Sequence, residues 1–331
     1  MRYKILTLSF IVLSLISYGA DIKSEVKSTY FDRDGKASLE GSFKSSISYK
    51  GEDFYTELRL NGNYNDSEEG SIEADRAFVE LYGKKGSLVL GKQRIFWGEG
   101  YLFNYADVFN EVNSEDPRGD KEGVNGIDIK YNARDNLKLE GAVILKDEKK
   151  NYATRAIYNL GLFEFTADYL KYRSSFPMNK TVMQDTKTYM AEIKGEYEIG
   201  FWGSALFREN SGVKYYNEKI YTAGADYTVE VMDSSLYMLA EYSRNQKFNA
   251  DLLCTQLKYD IQSDVSLSET LISDLNGGAR KSSTALKYLY NDYITMSATY
   301  NNYAHVKSGS SIYEESQGAE NAVKYEIKAD F

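Results

Sequence analysis

From residue 21 onward, apolar and polar residues trade places at every second position, segment after segment. At the C-terminus Val323, Tyr325, Ile327, Ala329 and Phe331 alternate with Lys324, Glu326, Lys328 and Asp330, so one face is apolar and the other charged throughout. Leu137, Leu139, Gly141, Val143 and Leu145 alternate with Lys138, Glu140 and Lys146, and Phe163, Phe165, Ala167 and Tyr169 with Glu164, Thr166 and Asp168. The run from Tyr189 to Tyr197 behaves in the same way, with Glu192, Lys194 and Glu196 on its polar side. A period of two puts successive side chains on opposite faces, so each segment predicts a strand with one apolar face. No segment predicts an amphipathic helix of useful length.

Alternation alone fits a water-soluble sandwich as well as a membrane barrel, and three further features separate them. Every second connection is a tight polar turn, as at Lys84-Lys85-Gly86, Ala133-Arg134-Asp135, Asp233-Ser234-Ser235 and Asn291-Asp292, while the intervening ones are longer and variable. Short turns at one end and long loops at the other are the layout of transmembrane barrels. Tyr49, Tyr131, Tyr169, Tyr259 and Tyr290 fall near strand ends, where an apolar ring with a polar tip suits the headgroup boundary. The chain also stops on an aromatic residue, Phe331.

Seventeen strands are predicted near 37–50, 52–65, 71–83, 86–96, 123–133, 135–146, 151–160, 161–173, 186–198, 200–209, 218–232, 236–245, 251–261, 264–273, 281–291, 293–304 and 320–331. A bacterial single-chain barrel with both ends in the periplasm needs an even number. Ahead of residue 37, Ile22, Val26 and Tyr30 share a parity with Ser24 and Ser28, opposite Lys23, Glu25, Lys27 and Thr29, and supply one more. The expectation is therefore an all-β, antiparallel up-and-down transmembrane barrel over residues 21–331 with eighteen strands, or sixteen if two weak neighbours are loops. At that size the interior is too wide for side chains to fill. It must hold water, a plug or a folded loop.

Residues 1–20 stand apart. Arg2 and Lys4 precede an apolar stretch from Ile5 to Ile16, and small residues follow near Ala20, the layout of a cleavable secretory signal peptide. Its removal takes the formal charge from −9 to −11. Such an acidic exported chain is a poor partner for nucleic acid, which needs clustered Lys and Arg. Of 331 residues 30 are Tyr and only 2 Pro, against disorder, and a mean hydropathy of −0.51 excludes a helical membrane protein. Cys254 is the only cysteine, so no disulfide framework within the chain is available.

The ending Val323, Tyr325, Ile327, Ala329, Phe331 resembles the terminal assembly signal of Gram-negative outer-membrane β-barrels. That likeness implies outer-membrane lipid and the barrel assembly machinery as partners. The segment Leu90-Gly91-Lys92-Gln93-Arg94-Ile95-Phe96-Trp97-Gly98-Glu99-Gly100, with Asn104-Tyr105-Ala106-Asp107 and Asp116-Pro117-Arg118 behind it, is similar to a strand and inward loop of porins of the alginate-export group. That second likeness covers about 30 residues and implies a solute channel without naming the solute.

Parity places Glu57, Arg59, Asp128, Lys130, Arg155, Asp168, Glu192, Lys194 and Glu241 among the wall residues facing the lumen. Lys or Arg facing lipid at mid-membrane costs roughly 2–4 kcal/mol, so charge belongs inside. The longest connection, residues 97–122, carries Glu99, Asp107, Glu111, Glu115, Asp116, Asp120 and Glu122 against Arg118 and Lys121, a formal charge of −5. Folded inward opposite Arg59, Lys92, Arg94 and Arg155, it would set a transverse field across a constriction and select solutes by charge. The alternative is a surface loop capping the mouth. Tyr101, Phe103, Tyr105 and Phe109 are placed to pack such a loop on the wall or to offer a sugar ring an apolar face. Lys92 and Arg94 share parity with Leu88 and Leu90, so either the leucines face the lumen or Gly91 marks a bulge that switches faces; charge inward is the expectation.

The functional expectation is a passive outer-membrane diffusion channel for small hydrophilic solutes, as a monomer or homotrimer, without cofactor. The alternative is a non-conducting barrel for adhesion or envelope structure. An enzyme would need a framed catalytic group, and the single histidine, His305, sits in a loop beside Ser308, Ser310 and Ser311 with no motif around it. One His and one Cys cannot build a metal site of N and S ligands. A plug-bearing receptor on a larger barrel would exceed the chain length.

Overall fold

The computed structural model describes residues 21–33, 36–65, 68–110, 121–146, 149–176, 179–210, 217–231, 234–305 and 320–330. The first strands are β1 (Asp21–Arg33), β2 (Lys36–Lys50), β3 (Phe54–Asn65), β4 (Glu68–Gly83), β5 (Gly86–Gln93) and β6 (Val124–Arg134). They are followed by β7 (Leu137–Lys146), β8 (Lys149–Leu160), β9 (Phe163–Phe176), β10 (Asn179–Glu196), β11 (Gly200–Asn210) and β12 (Glu218–Val231). The last six are β13 (Ser234–Asn245), β14 (Ala250–Gln262), β15 (Val265–Asp274), β16 (Arg280–Leu289), β17 (Ile294–Ala304) and β18 (Asn321–Asp330).

Each strand pairs antiparallel with its neighbour in sequence, and β1 pairs with both β2 and β18, so the 18-stranded sheet closes on itself. Closure gives every strand two hydrogen-bonded neighbours, which is what permits a sheet to stand in hydrocarbon. The weakest sequence expectation, a strand ahead of residue 37, is the one that closes the ring, with Val26 opposite Ala329 and Tyr30 opposite Tyr325. Residues 1–20 and Phe331 lie outside the described residues.

The faces follow the alternation. In β6, Asp128 is 5% exposed between Ile127 at 43% and Ile129 at 52%. Asp128 pairs with Val89 and Ala142 inside the ring, whereas Ile129 pairs with Leu88 and Gly141 outside. Val323, Tyr325, Ile327 and Ala329 sit on the outer face with Val26 and Tyr30, while Lys324, Glu326 and Lys328 look inward with Lys27. Most apolar rows thus face outward and most charged rows inward, as a membrane-spanning barrel requires; Glu269 is an exception, sharing the outer face with Leu267 and Leu271 and accepting from Ser282 and Thr284.

The end that carries the termini has connections of two to four residues, including 84–85, 135–136 and 263–264. The other end differs from expectation in one respect: several of its connections are also short, because the strands themselves run on. β9 extends to Phe176 and β10 begins at Asn179, giving a hairpin that outreaches its neighbours. β5, conversely, stops at Gln93 rather than near residue 96.

Of the register shifts in the sheet, the one between β3 and β4 bears on the lumen. Arg59 pairs with Arg76 but Leu60 pairs with Ala74, leaving Asp75 as an extra residue in β4. A bulge turns two consecutive side chains toward one side. Asp75 therefore reaches the lumenal Arg59 and Arg76 reaches Glu57, each at 3.8 Å between charged atoms.

Candidate functional site

The apolar core of this protein lies inside the lumen. Ile95, Trp97, Ala106 and Phe109, from the connection between β5 and β6, pack against Ile144, Leu170, Met190, Leu206 and Ile220. Those five come from β7, β9, β10, β11 and β12, each at a lumen-facing position. Residues 95–110 therefore form a ledge against one side of the wall. Full burial of Trp97 and Phe109 stabilises docking by about 1.5–3 kcal/mol each.

Polar anchors fix the ledge below this apolar patch. Glu241 of β13 is fully buried and accepts four hydrogen bonds. The Tyr101 amide and Trp202 Nε1 donate to its Oε1, both at 2.8 Å, and the Leu102 and Phe103 amides donate to Oε2 at 2.7 and 3.0 Å. Trp202 reaches it because the indole lies flat over Gly224, where a Cβ would come within 2.3 Å of the ring. Glu192 of β10 takes the Glu99 amide at 3.1 Å. Farther along, Tyr101 bonds Gln256 of β14 through its hydroxyl, and the Tyr105 hydroxyl meets Ser243 Oγ at 2.9 Å. A carboxylate that gathers several backbone N–H groups is a strong anchor, because each bond is charge-assisted.

The turn of the ledge needs glycine. Gly98 has φ of 96°, and a Cβ there would stand 2.0 Å from Asn104 Oδ1 and 2.9 Å from Ala106 Cβ. Asn104 closes that turn by donating to the Gly98 carbonyl at 3.2 Å and accepting from the Ala106 amide at 3.2 Å.

The residues expected at a charged constriction are distributed as follows. Arg155 is buried beneath Trp97, its guanidinium carbon 4.8 Å from the ring centre. It forks onto Asp168 at 2.7 and 2.9 Å and reaches Glu192 at 3.2 Å, so its partners are wall carboxylates and not acids of the loop. Asp107 is buried within the ledge, 2.5 Å from Lys121 Nζ and 2.7 Å from Asn110 Nδ2. Lys92 shares its face with Leu88 and Leu90, and its ammonium turns to Glu122 at 2.5 Å and the Ala74 carbonyl at 2.7 Å. Gly91 has φ of 124°, yet the pairing of β5 with both neighbours runs through it without a shift, so no bulge switches the faces there. Arg94 lies over the Phe96 ring at 4.9 Å. Arg59 faces the lumen beside Arg76, Glu57 and Asp75. Glu111, Glu115 and Asp116 lie outside the described residues.

Charge on the ledge is therefore largely matched locally. Its Glu99 meets Lys194 at 3.0 Å, and Lys194 also meets Glu164 at 2.9 Å. The strand contacts of residues 95–110 described above fall on β7 to β14. The facing arc, from β15 through β18 to β4, carries small hydroxyl side chains such as Ser268, Thr270, Ser283, Ser297 and Thr299 interleaved with the inward Lys27, Lys287, Lys324 and Glu326, with the Arg59–Arg76 pair at its edge.

Comparison with known proteins identifies the fold. No protein-family model and no curated protein matches the chain. Among solved structures it is similar to OccAB3 of Acinetobacter baumannii, with 11% identity, a TM-score of 0.62 and coverage of 95% of this chain and 99% of that one. It is likewise similar to OccK5 (OpdH) of Pseudomonas aeruginosa, at 7% identity and a TM-score of 0.65 over 94% and 98% of the two chains. A third is Wzi of Escherichia coli, an outer-membrane protein involved in group 1 capsule assembly and described as a carbohydrate-binding β-barrel. It matches at 12% identity and a TM-score of 0.63 over 98% and 87%. At these identities the likeness establishes a shared β-barrel fold.

Proposed function

We propose that this barrel is a passive outer-membrane channel for small hydrophilic solutes, narrowed from one side by the docked ledge. The observation that carries the reading is the one-sided packing of residues 95–110. An 18-stranded ring is wider than side chains can fill, and the ledge covers β7 to β14 while the described contacts leave the hydroxyl-bearing arc from β15 to β4 facing it. Water on that arc satisfies the polar wall and gives solutes a path.

The charged edge of the path is assigned to Arg59 and Arg76. Two guanidinium groups opposite each other on adjacent strands, with Glu57 and Asp75 at 3.3–3.8 Å, give a mixed-sign element on the lumenal wall. This places the selecting charges next to the ledge's return strand, where the Gly123 amide donates to Asp75 at 3.1 Å.

Planar-bilayer recording tests the proposal. Wild-type protein is expected to give stable current steps, and Arg59→Gln/Arg76→Gln to shift the reversal potential in a salt gradient toward greater cation preference, since two positive charges leave the path. A silent bilayer with correctly folded protein would favour the non-conducting alternative. Conducting steps whose selectivity ignores both arginines would place the filter elsewhere.

A further inference from the structure

On the outer face of the barrel, Lys171 of β9 and Lys187 of β10 stand directly opposite each other across the strand pair. Both are exposed, and neither ammonium makes an ion pair among the described residues. Like charges in opposed positions have Cβ atoms about 4.5–5.5 Å apart and destabilise a sheet unless something of opposite sign shares the space. Tyr152 adjoins Lys171 on one side; Glu209 is in register with Lys187 on the other, without an ion pair between them.

Their height on the wall is informative. Two residues nearer the membrane centre along each strand, Tyr169, Tyr189 and Phe207 form a contiguous row, with ring centres 5.3 and 6.4 Å apart. Such a row marks the headgroup boundary, so the two lysines rise about 6.6 Å of strand above it, among headgroups. They lie at the long-loop end, away from the chain termini. The same outer rim adds Lys150 on β8, Arg173 on β9, which is 3.6 Å from Asp185, and Lys219 on β12. This is a local excess of positive charge on a chain whose formal charge is −9. Across the barrel, the outward residues near that rim include the neutral Asn302 and Asn321 and one base, Arg280.

We propose that the outer face of β8 to β10 seats the phosphate of a phosphorylated membrane lipid, held between Lys171 and Lys187, with its acyl chains on the Tyr169, Tyr189 and Phe207 row. Two ammonium groups converge on one dianionic headgroup, which removes their mutual repulsion. The aromatic row below supplies the apolar surface that orients the lipid. The site is independent of the lumen and of what passes through it.

The test uses the full-length protein in detergent micelles, titrated with bis-phosphorylated lipid A and, separately, with the same lipid after dephosphorylation, bound lipid being counted by native mass spectrometry. Wild-type protein is expected to retain the phosphorylated form and to bind the dephosphorylated form roughly thirtyfold more weakly, the loss expected for two basic groups at a lipid surface. Lys171→Gln/Lys187→Gln should reduce binding of the phosphorylated form to a similar extent, while Lys84→Gln, in a turn at the opposite end, should leave it unchanged. Equal retention of both lipids by the wild type, or undiminished binding by a folded double variant, overturns the proposal. The lipid comparison on wild-type protein decides the matter even if the double variant fails to fold.

Discussion

Replacing Glu241 with alanine is expected to free the ledge and raise the open-channel current, with strong current noise from a segment that now moves. The carboxylate takes three consecutive backbone amides, of Tyr101, Leu102 and Phe103, together with the Trp202 indole. Each buried donor left unpaired costs about 1–3 kcal/mol, reduced wherever lumenal water can replace the acceptor. A net loss of about 3–6 kcal/mol would shift the ratio of docked to undocked ledge by about 10²–10⁴. Glu241→Gln, which keeps one acceptor oxygen, should fall between the two. Single-channel recording with noise analysis reads the outcome directly. If Glu241→Ala conducts as quietly as wild type, the amide cluster is not what holds the segment.

Arg155→Ala is expected to be the most destabilising single change in the lumen. Asp168 and Glu192 would lose the guanidinium that joins them, and Trp97 would lose the cation beneath its ring. Removing one partner of a buried ion pair typically costs about 3–5 kcal/mol, because charge is left without compensation. The readout is the temperature at which the compact, unheated electrophoretic form converts to the unfolded one, which should fall well below wild type. Arg155→Ala combined with Asp168→Ala should recover part of that loss, since one stranded carboxylate is removed. A double variant worse than the single one would contradict the assignment of strain to unpaired charge.

The ring of strands was legible because lipid imposes its demand at every second residue. Ile127 and Ile129 must face hydrocarbon, so Asp128 and Lys130 must face inward, and no tertiary context can override that without a large penalty. Even the faint alternation of Ile22, Val26 and Tyr30 sufficed to place the closing strand. Asp75 was not legible from parity: Arg76 follows the alternation that puts Ala77, Val79 and Leu81 outside, and the bulge turns the extra residue Asp75 to the same lumenal side. Its one signal was two consecutive charged residues, Asp75 and Arg76, between Ala74 and Ala77.

The ledge was only half legible. Its length, its acidity and its aromatic residues pointed to an inward fold, and Phe109 and Tyr105 do pack on the wall. The anchoring logic was hidden, because backbone amides as partners for Glu241 and Glu192 leave no trace in side-chain composition. A signal for the docking patch was nevertheless present. Around Ala142-Val143-Ile144-Leu145, Tyr169-Leu170, Tyr189-Met190 and Ile220-Tyr221 both parities are apolar, which in a water-filled barrel marks a stretch of wall covered from inside.

The arrangement as a whole depends on which rows of the sheet are wet, and cysteine accessibility measures that directly. In a Cys254→Ser background, single cysteines replacing Ser283 and Ser297, which face the lumen, and Leu286 and Met296, which face outward, are treated with a membrane-impermeant maleimide after insertion into vesicles. Cysteines at 283 and 297 should be modified and those at 286 and 296 protected. Modification of 286 and 296 with protection of 283 and 297 would mean that the apolar rows face solvent, and the barrel described here would be inside out.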